Sequence, residues 1–379
     1  MSTMTIASPF LDLPGAVDSV DRDAGVAAHY GNPVVEQREL EAGRAIVDLS
    51  NRSVLSITGP DRLSWLNSIT SQNLLGLTAG ESSETLLLDA SGRLEHAVRV
   101  IEDGETLWLL VEHDEADGLL AWLQSMRFML RVELADRTAD LATIGSLGTP
   151  ALPIAAPNGV PLVWNDPWRE VAPGGHQYAI GDHPGSGWTW SETLIPRDAL
   201  PSLVSRVRKG EFAVAGLLAV EALRIAAWRP RFATEVDEKT IPHELDWLRT
   251  AVHLTKGCYR GQETVAKVHN LGHPPRRLVM LHLDGSEGAL PARGSVVKVD
   301  VGGDRREVGL VTSSALHHEL GPIALAVVKR STDPDATLLV ETDDLTVAAA
   351  QVVVVPPGAG AEAHVPRLPR LGAVTRPTR

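Results

Sequence analysis

Residues 256–263 read Lys-Gly-Cys-Tyr-Arg-Gly-Gln-Glu and hold Cys258, the one cysteine in a chain of 379 residues. Glycines on both sides of the Cys-Tyr-Arg core permit a tight loop and a close approach by a ligand or by another backbone. Lys256 and Arg260 each stand two residues from Cys258. If they fold beside it, they favour the thiolate over the thiol, and the thiolate is both nucleophile and soft-metal ligand. His253 and His269 are close enough in sequence to act as bases if the fold brings them in. A lone cysteine is more often a small buried hydrophobe, but the charged, glycine-rich neighbours count against that here. Residues 249–277 carry Arg249, Lys256, Arg260, Lys267, Arg276 and Arg277 against Glu263 alone, in a chain of formal charge −13.

The elements that must hold this segment can be read from periodicity. The apolar run Val54 to Ile57, the turn Gly59-Pro60-Asp61 and the helical spacing of Leu63, Trp65, Leu66 and Ile69 give strand, turn and helix. Thr85 to Leu88 and Leu94 to Ile101 form a hairpin about Asp89-Ala90-Ser91-Gly92, followed by a strand at Thr106 to Val111 and a helix at Ala116 to Arg127. This is the order of a split β-α-β unit with an antiparallel sheet. Prolines punctuate the stretch from 150 to 184, which predicts short strands joined by loops, and residues 213–228 have the apolar density of one buried helix ending before Pro230. Beyond Pro274-Pro275, six β-rich runs up to Val355 predict a small barrel. Residues 356–379 lack periodicity and read as a mobile tail.

Composition narrows the function. The 35 Lys and Arg against 48 Asp and Glu argue against a surface built to grip nucleic acid or a membrane, so any anion site must be local. One cysteine excludes an internal disulfide framework and a self-contained cysteine metal cage, and no metal ligand set is assigned. With no signal-like start and no long apolar run, the expected setting is the cytoplasm.

KGCYRGQETVAKV resembles the signature of the YgfZ family, folate-binding proteins related to GcvT, the aminomethyltransferase of the glycine cleavage system. The resemblance extends through Thr240-Ile241-Pro242, Leu248, Gly272 and Arg276-Arg277. It also covers the stretches DLSNRSVLSITGPDRLSWLNSITSQNL and LLLDASGRLEHAVRV, so the family order runs from about Ala45 to Val355. It implies an α+β, three-lobed fold with antiparallel sheets and a C-terminal β-barrel around a tetrahydrofolate pocket. The lobes would be a discontinuous first lobe of residues 24–52 and 138–275 that includes the signature loop, an inserted second lobe of 53–137 and a barrel of 276–355, with 356–379 as tail.

The implied function is that of a tetrahydrofolate-binding accessory protein for iron-sulfur cluster assembly or repair in client enzymes, tRNA-modifying radical enzymes among them. The alternatives are an aminomethyltransferase of the glycine cleavage type or a non-catalytic folate-responsive scaffold. Partners would be the folate and iron-sulfur client or assembly proteins, with no direct nucleic acid and no membrane. Cys258, Lys256 and Glu95 are the candidate catalytic residues, Glu95 standing with His96 where the aminomethyltransferases have paired aspartates. Candidate ligands of tetrahydrofolate or a derivative are Arg224, Glu235, Arg52, Tyr259, Arg260, Gln262 and Glu263. A carboxylate at Glu235 would suit a pterin, accepting paired hydrogen bonds from its amino and N–H groups. Family tryptophans match Arg52 and Val220, neither of which is Trp, so Trp228 or Trp247 is expected to line the pocket instead and Arg52 to meet a ligand carboxylate.

Overall fold

A computed structural model describes residues 7–286, 288–342 and 345–364. The first lobe is built on a five-stranded sheet ordered Val163–Asn165, Ser191–Pro196, Leu141–Ser146, Ala45–Asp48 and Ala213–Ala215. Three helices, Pro33–Glu41, Leu200–Arg208 and Leu217–Ala226, accompany it. Asn32 starts the first of these, its Oδ1 accepting from the Val34 and Val35 amides at 3.1 and 3.2 Å just ahead of Pro33 at the first helical position.

One expectation needs correcting here. Residues 213–228 are not one helix, because Ala213–Ala215 pairs in parallel with Ala45–Val47 and the helix begins only after Gly216. Three small apolar residues suit a buried edge-to-edge pairing as well as a helix, and periodicity over so short a run does not separate the two. The helix ends at Ala226, and Trp228 takes a left-handed φ of 57° ahead of Arg229-Pro230.

Strands Ser82–Leu88, Leu94–Glu102, Thr106–Val111, Ser53–Thr58 and Glu133–Asp136 form the second lobe, a wholly antiparallel sheet in that spatial order. Helices Arg62–Ile69 and His113–Ser125 cover it, and Leu55, Ile57, Leu66, Leu109 and Leu119 lie in its own core. The third lobe is a closed barrel ordered Arg276–Leu283, Gly321–Lys329, Asp304–His317, Val296–Val301, Leu338–Glu341 and Thr346–Val353. No described helix is long and apolar enough to cross a membrane.

The lobes share one core, in which Leu86 and Trp108 of the second lobe, Trp164 and Ala222 of the first, and Leu278 and Leu325 of the barrel are contiguous. The predicted tail also needs correction over its described part. Ala359 is buried, and its carbonyl meets His273 Nδ1 at 2.8 Å. The amides of Glu362 and Ala363 donate to the carbonyls of His269 and Asn270 at 2.9 and 3.1 Å. These bonds tie residues 356–364 to the helix Gln262–Leu271. Residues 365–379 lie outside the described residues.

Candidate functional site

Five arginines face five carboxylates where the lobes meet. Arg52, Arg99, Arg224, Arg229 and Arg231 line one cavity with Glu84, Glu112, Asp166, Glu192 and Glu221. Arg52 and Arg99 both pair with Glu192, Arg99 more loosely at 3.5 Å. Arg229 bridges Glu84 and Asp166 at 2.6 and 3.0 Å, and Arg231 bridges Glu112 and Asp23 at 2.8 and 2.6 Å. Arg224 meets Glu221 at 2.6 Å and Glu235 at 2.9 Å. Burial opposes the charge on Glu192, yet Arg52 and Arg99 hold its carboxyl below the ordinary range. Glu112 is likewise held low against its burial, by Arg231 and Arg52. Burial lowers Arg99, the most loosely held of the five guanidinium groups.

Indoles fill the spaces between the charges. Trp188 and Trp190 stack at 5.6 Å, and their N–H groups donate to Asp166 at 2.8 Å and to Glu192 at 3.1 Å. Arg99 lies over Trp164 and Arg229 over Trp247, at 5.4 and 5.8 Å from the ring centroids. Two buried atoms on this wall have no hydrogen-bond partner: Glu192 Oε2, an acceptor, and Arg229 Nη1, a donor. An orphaned buried donor or acceptor costs about 1–3 kcal/mol, so a polar group that reached these two atoms would relieve that cost. The cavity volume is only about 40 Å³. A larger ligand must part the ion pairs, and Arg99 is the one least firmly bonded.

The signature loop lies elsewhere. Lys256 Nζ donates to three backbone carbonyls, of Asn67, Thr70 and Gln72, at 2.6, 2.7 and 2.7 Å, which clamps the loop onto the end of helix Arg62–Ile69. Burial brings its pKa down to about 8. Arg260 pairs with Glu95 at 2.7 Å. Gly261 has φ 85°, and a Cβ there would sit 2.7 Å from Asp89 O, so only glycine lets the loop seat against the turn of the second-lobe hairpin.

Both cations expected to activate Cys258 are therefore engaged with other partners, and the thiol itself is exposed. The flanking charges attract the carbonyl ends of a helix and an acid on the neighbouring lobe more strongly than they serve the thiol. His269 is taken up by Tyr178, whose hydroxyl lies 3.0 Å from its Nδ1, and His253 Nδ1 lies 3.4 Å from Thr255 Oγ1. None of residues 256–263 lines the central cavity. Tyr259 and Gln262 line a separate groove of about 390 Å³ with His269, and Glu263 is exposed.

Of the other residues singled out in the sequence, Arg52, Arg224 and Val220 do face the cavity, and so does Trp247. Trp228 does not, its ring resting edge-on against His183 at 5.2 Å. Arg52 meets Glu192 rather than an open space. Glu235 is buried behind the wall, where its oxygens accept from Arg224, from the Arg231 amide at 2.7 Å, and from the hydroxyls of Thr234 and Ser313, each at 2.7 Å. That leaves it braced to Arg224 and the barrel rather than open to a pterin. Glu95 and its Arg260 partner also lie outside the cavity. The five acids of the wall and Arg99, Arg229 and Arg231 are not among the sequence-based candidates, although one signal points to Glu192. In Trp188-Thr-Trp190-Ser-Glu192, the period of two places both indoles and the carboxylate on one face of an extended segment.

The fold that carries this site has a counterpart among solved structures. The structure of the glycine cleavage system aminomethyltransferase T from Bartonella henselae superposes with a TM-score of 0.71, over 92% of this chain and 95% of that one, at 18% identity. The chain has the aminomethyltransferase fold. Proteins named aminomethyltransferase from Herpetosiphon aurantiacus and Chlorobium chlorochromatii are each 25% identical to it, covering 79% and 82% of this chain and 82% and 86% of their own lengths. A putative chloroplastic transferase of Arabidopsis thaliana is 24% identical over 83% of this chain and 69% of its own length. No family model matches. In this aminomethyltransferase fold the cavity combines stacked indoles, a carboxylate acceptor and a guanidinium donor, a set suited to a flat heteroaromatic ligand with hydrogen-bonding edges.

Proposed function

We propose that the protein binds tetrahydrofolate or a derivative in the central cavity and works as a one-carbon transferase of the aminomethyl type. The observation that carries this is the pair of orphaned polar atoms, Glu192 Oε2 and Arg229 Nη1, set among the tryptophans of the wall. A pterin offers N–H donors for the carboxylate and ring acceptors for the guanidinium, and it stacks on indole. The similarity to proteins named aminomethyltransferase supports that chemistry over the iron-sulfur accessory role implied by the signature. Entry of the ligand displaces Arg99 from Glu192.

Titration with tetrahydrofolate by tryptophan fluorescence tests the reading. We expect saturable quenching in the wild type and at least about tenfold weaker binding in Glu192→Gln, the loss of a charge-assisted hydrogen bond. No binding by the wild type refutes it.

One feature favours the accessory role as a second reading. Cys258 is exposed on a firmly held loop, while Glu95, the acid expected at the chemistry, pairs with Arg260 outside the cavity. An assay with an aminomethyl-lipoyl carrier separates the two. Methylenetetrahydrofolate formation supports the transferase. Folate binding without turnover, together with failure of Cys258→Ala to support iron-sulfur client enzymes in a deletion strain, supports the accessory role in the cytoplasm.

A further inference from the structure

Arg277 is fully buried, with 0% of its surface exposed, at one end of the C-terminal barrel. Its position follows from strand alternation. Val279, Leu281 and Leu283 face the barrel interior together with Val297, Val311, Ala326 and Val347, and Arg277 precedes them on the same face of the same strand. Gln351 occupies the equivalent face of the partner strand, two residues on from Ala349.

A guanidinium buried in this place is stabilised by an anion, and no described residue provides one. Its Nη2 donates to Thr332 O at 2.9 Å and to Gln351 Oε1 at 3.0 Å. Nε and Nη1 are buried without partners, which leaves three of the five N–H groups unpaired. The adjacent Thr332 hydroxyl is buried and unpartnered as well. No carboxylate among the described residues pairs with Arg277, and neighbouring Asp333 turns its Oδ1 to the Asp335 amide at 3.0 Å. The buried arginines of the central cavity, Arg52, Arg224, Arg229 and Arg231, face carboxylates, and buried Arg249, which has no carboxylate, donates to the Trp168 carbonyl and to Gln177 Oε1. An uncompensated buried charge of this kind is costly.

We propose that Arg277 and the Thr332 hydroxyl form a structural site for one small monovalent inorganic anion of halide size, which neutralises the barrel end. Full burial restricts the ligand to a compact ion. The unpaired guanidinium N–H groups can only donate and the hydroxyl can donate beside them, a set that fits an anion and excludes a cation. The site lies apart from the proposed folate cavity, none of whose lining residues it shares, and the two readings stand or fall separately.

Two measurements on the full chain decide it. Crystals of the wild type grown in sodium bromide are expected to give an anomalous peak within hydrogen-bond distance of Arg277 Nε or Nη1 and Thr332 Oγ1. Replacing chloride by gluconate is expected to lower the thermal midpoint of the wild type by about 3 °C in a saturable way, and to leave that of Arg277→Met unchanged. A water without anomalous signal at this place overturns the proposal, as does an equal chloride response in the variant. Should Arg277→Met fail to fold, the bromide peak decides alone.

Discussion

Asp246 shows how far a single side chain can depart from its solution behaviour here. It is fully buried in the left-handed region at φ 55°, accepts from the Tyr178 amide at 2.7 Å, and is pushed up to about pKa 7 by that burial. His183, 3.9 Å away, is brought down to about 3 by burial and by the nearby Arg249 charge. His243 falls to a similar value by burial and the neighbouring histidines. The signs oppose one another. A histidine whose folded pKa is depressed makes stability fall as pH drops below about 6.5, because the unfolded chain binds the proton first. A carboxyl whose folded pKa is raised makes stability fall as pH rises from about 4 to 7, because the folded state holds the proton. Between about pH 4 and 6.5 two histidines outweigh one carboxyl, so these groups lower stability by about 1.4 kcal/mol for each unit of acidification. Asp246→Asn keeps the acceptor and tolerates the backbone, and it removes the opposing effect. Denaturant unfolding across this range should show the slope rising by about 1.4 kcal/mol per pH unit in the variant; an unchanged slope would show that Asp246 does not hold its proton.

At the scale of elements, the signature loop is a clasp between lobes. Lys256 holds three carbonyls at residues 67–72, Arg260 holds Glu95, the His253 amide donates to Ser71 O, and Gln72 Nε2 donates to Thr250 O. Gly261 is where the loop turns against the hairpin, with no room for a Cβ beside Asp89 O. Gly261→Ala is therefore expected to cost about 2–3 kcal/mol, combining left-handed strain with a backbone clash. Hydrogen exchange should quicken in residues 67–72 and 89–95 while the barrel strands stay protected. Uniform exchange throughout the chain would contradict a local clasp.

Over the whole molecule, the charge of −13 and the run of cations from 249 to 277 describe a different protein from the folded one. That run is not a basic surface: Arg249 donates to Trp168 O, Arg276 pairs with Asp237 and Glu244, Arg277 is buried in the barrel, and Lys256 and Arg260 bind the second lobe. The charges that line the central cavity come from seven separated places in the sequence, at 52, 84, 99, 112, 166, 192 and 221–231, and balance five against five. Folate affinity should accordingly change less than about threefold between 50 and 500 mM salt, since a charge-balanced, enclosed wall presents little net field to screen. A tenfold loss over that range would point to an unpaired cation as the main contact.

What the sequence determined by itself is whatever depends on short-range pattern. Four of the five second-lobe strands, the hairpin about Gly92, the six barrel strands and the presence of a glycine-hinged loop at 256–263 follow from periodicity and turn chemistry, which act over a few residues, whereas the edge strand Glu133–Asp136 carries no such signal. Arg52, Arg224 and Trp247 were also reachable, through their matched positions and residue types. The tertiary structure alone decided which charges meet. Glu192 faces Arg52 across 140 residues and Glu84 faces Arg229 across 145, and nothing local encodes such partners. Burial then settled the rest, because a desolvated cation takes whichever acceptor the fold brings within reach. That is why Lys256 and Arg260 became lobe fasteners rather than activators of Cys258.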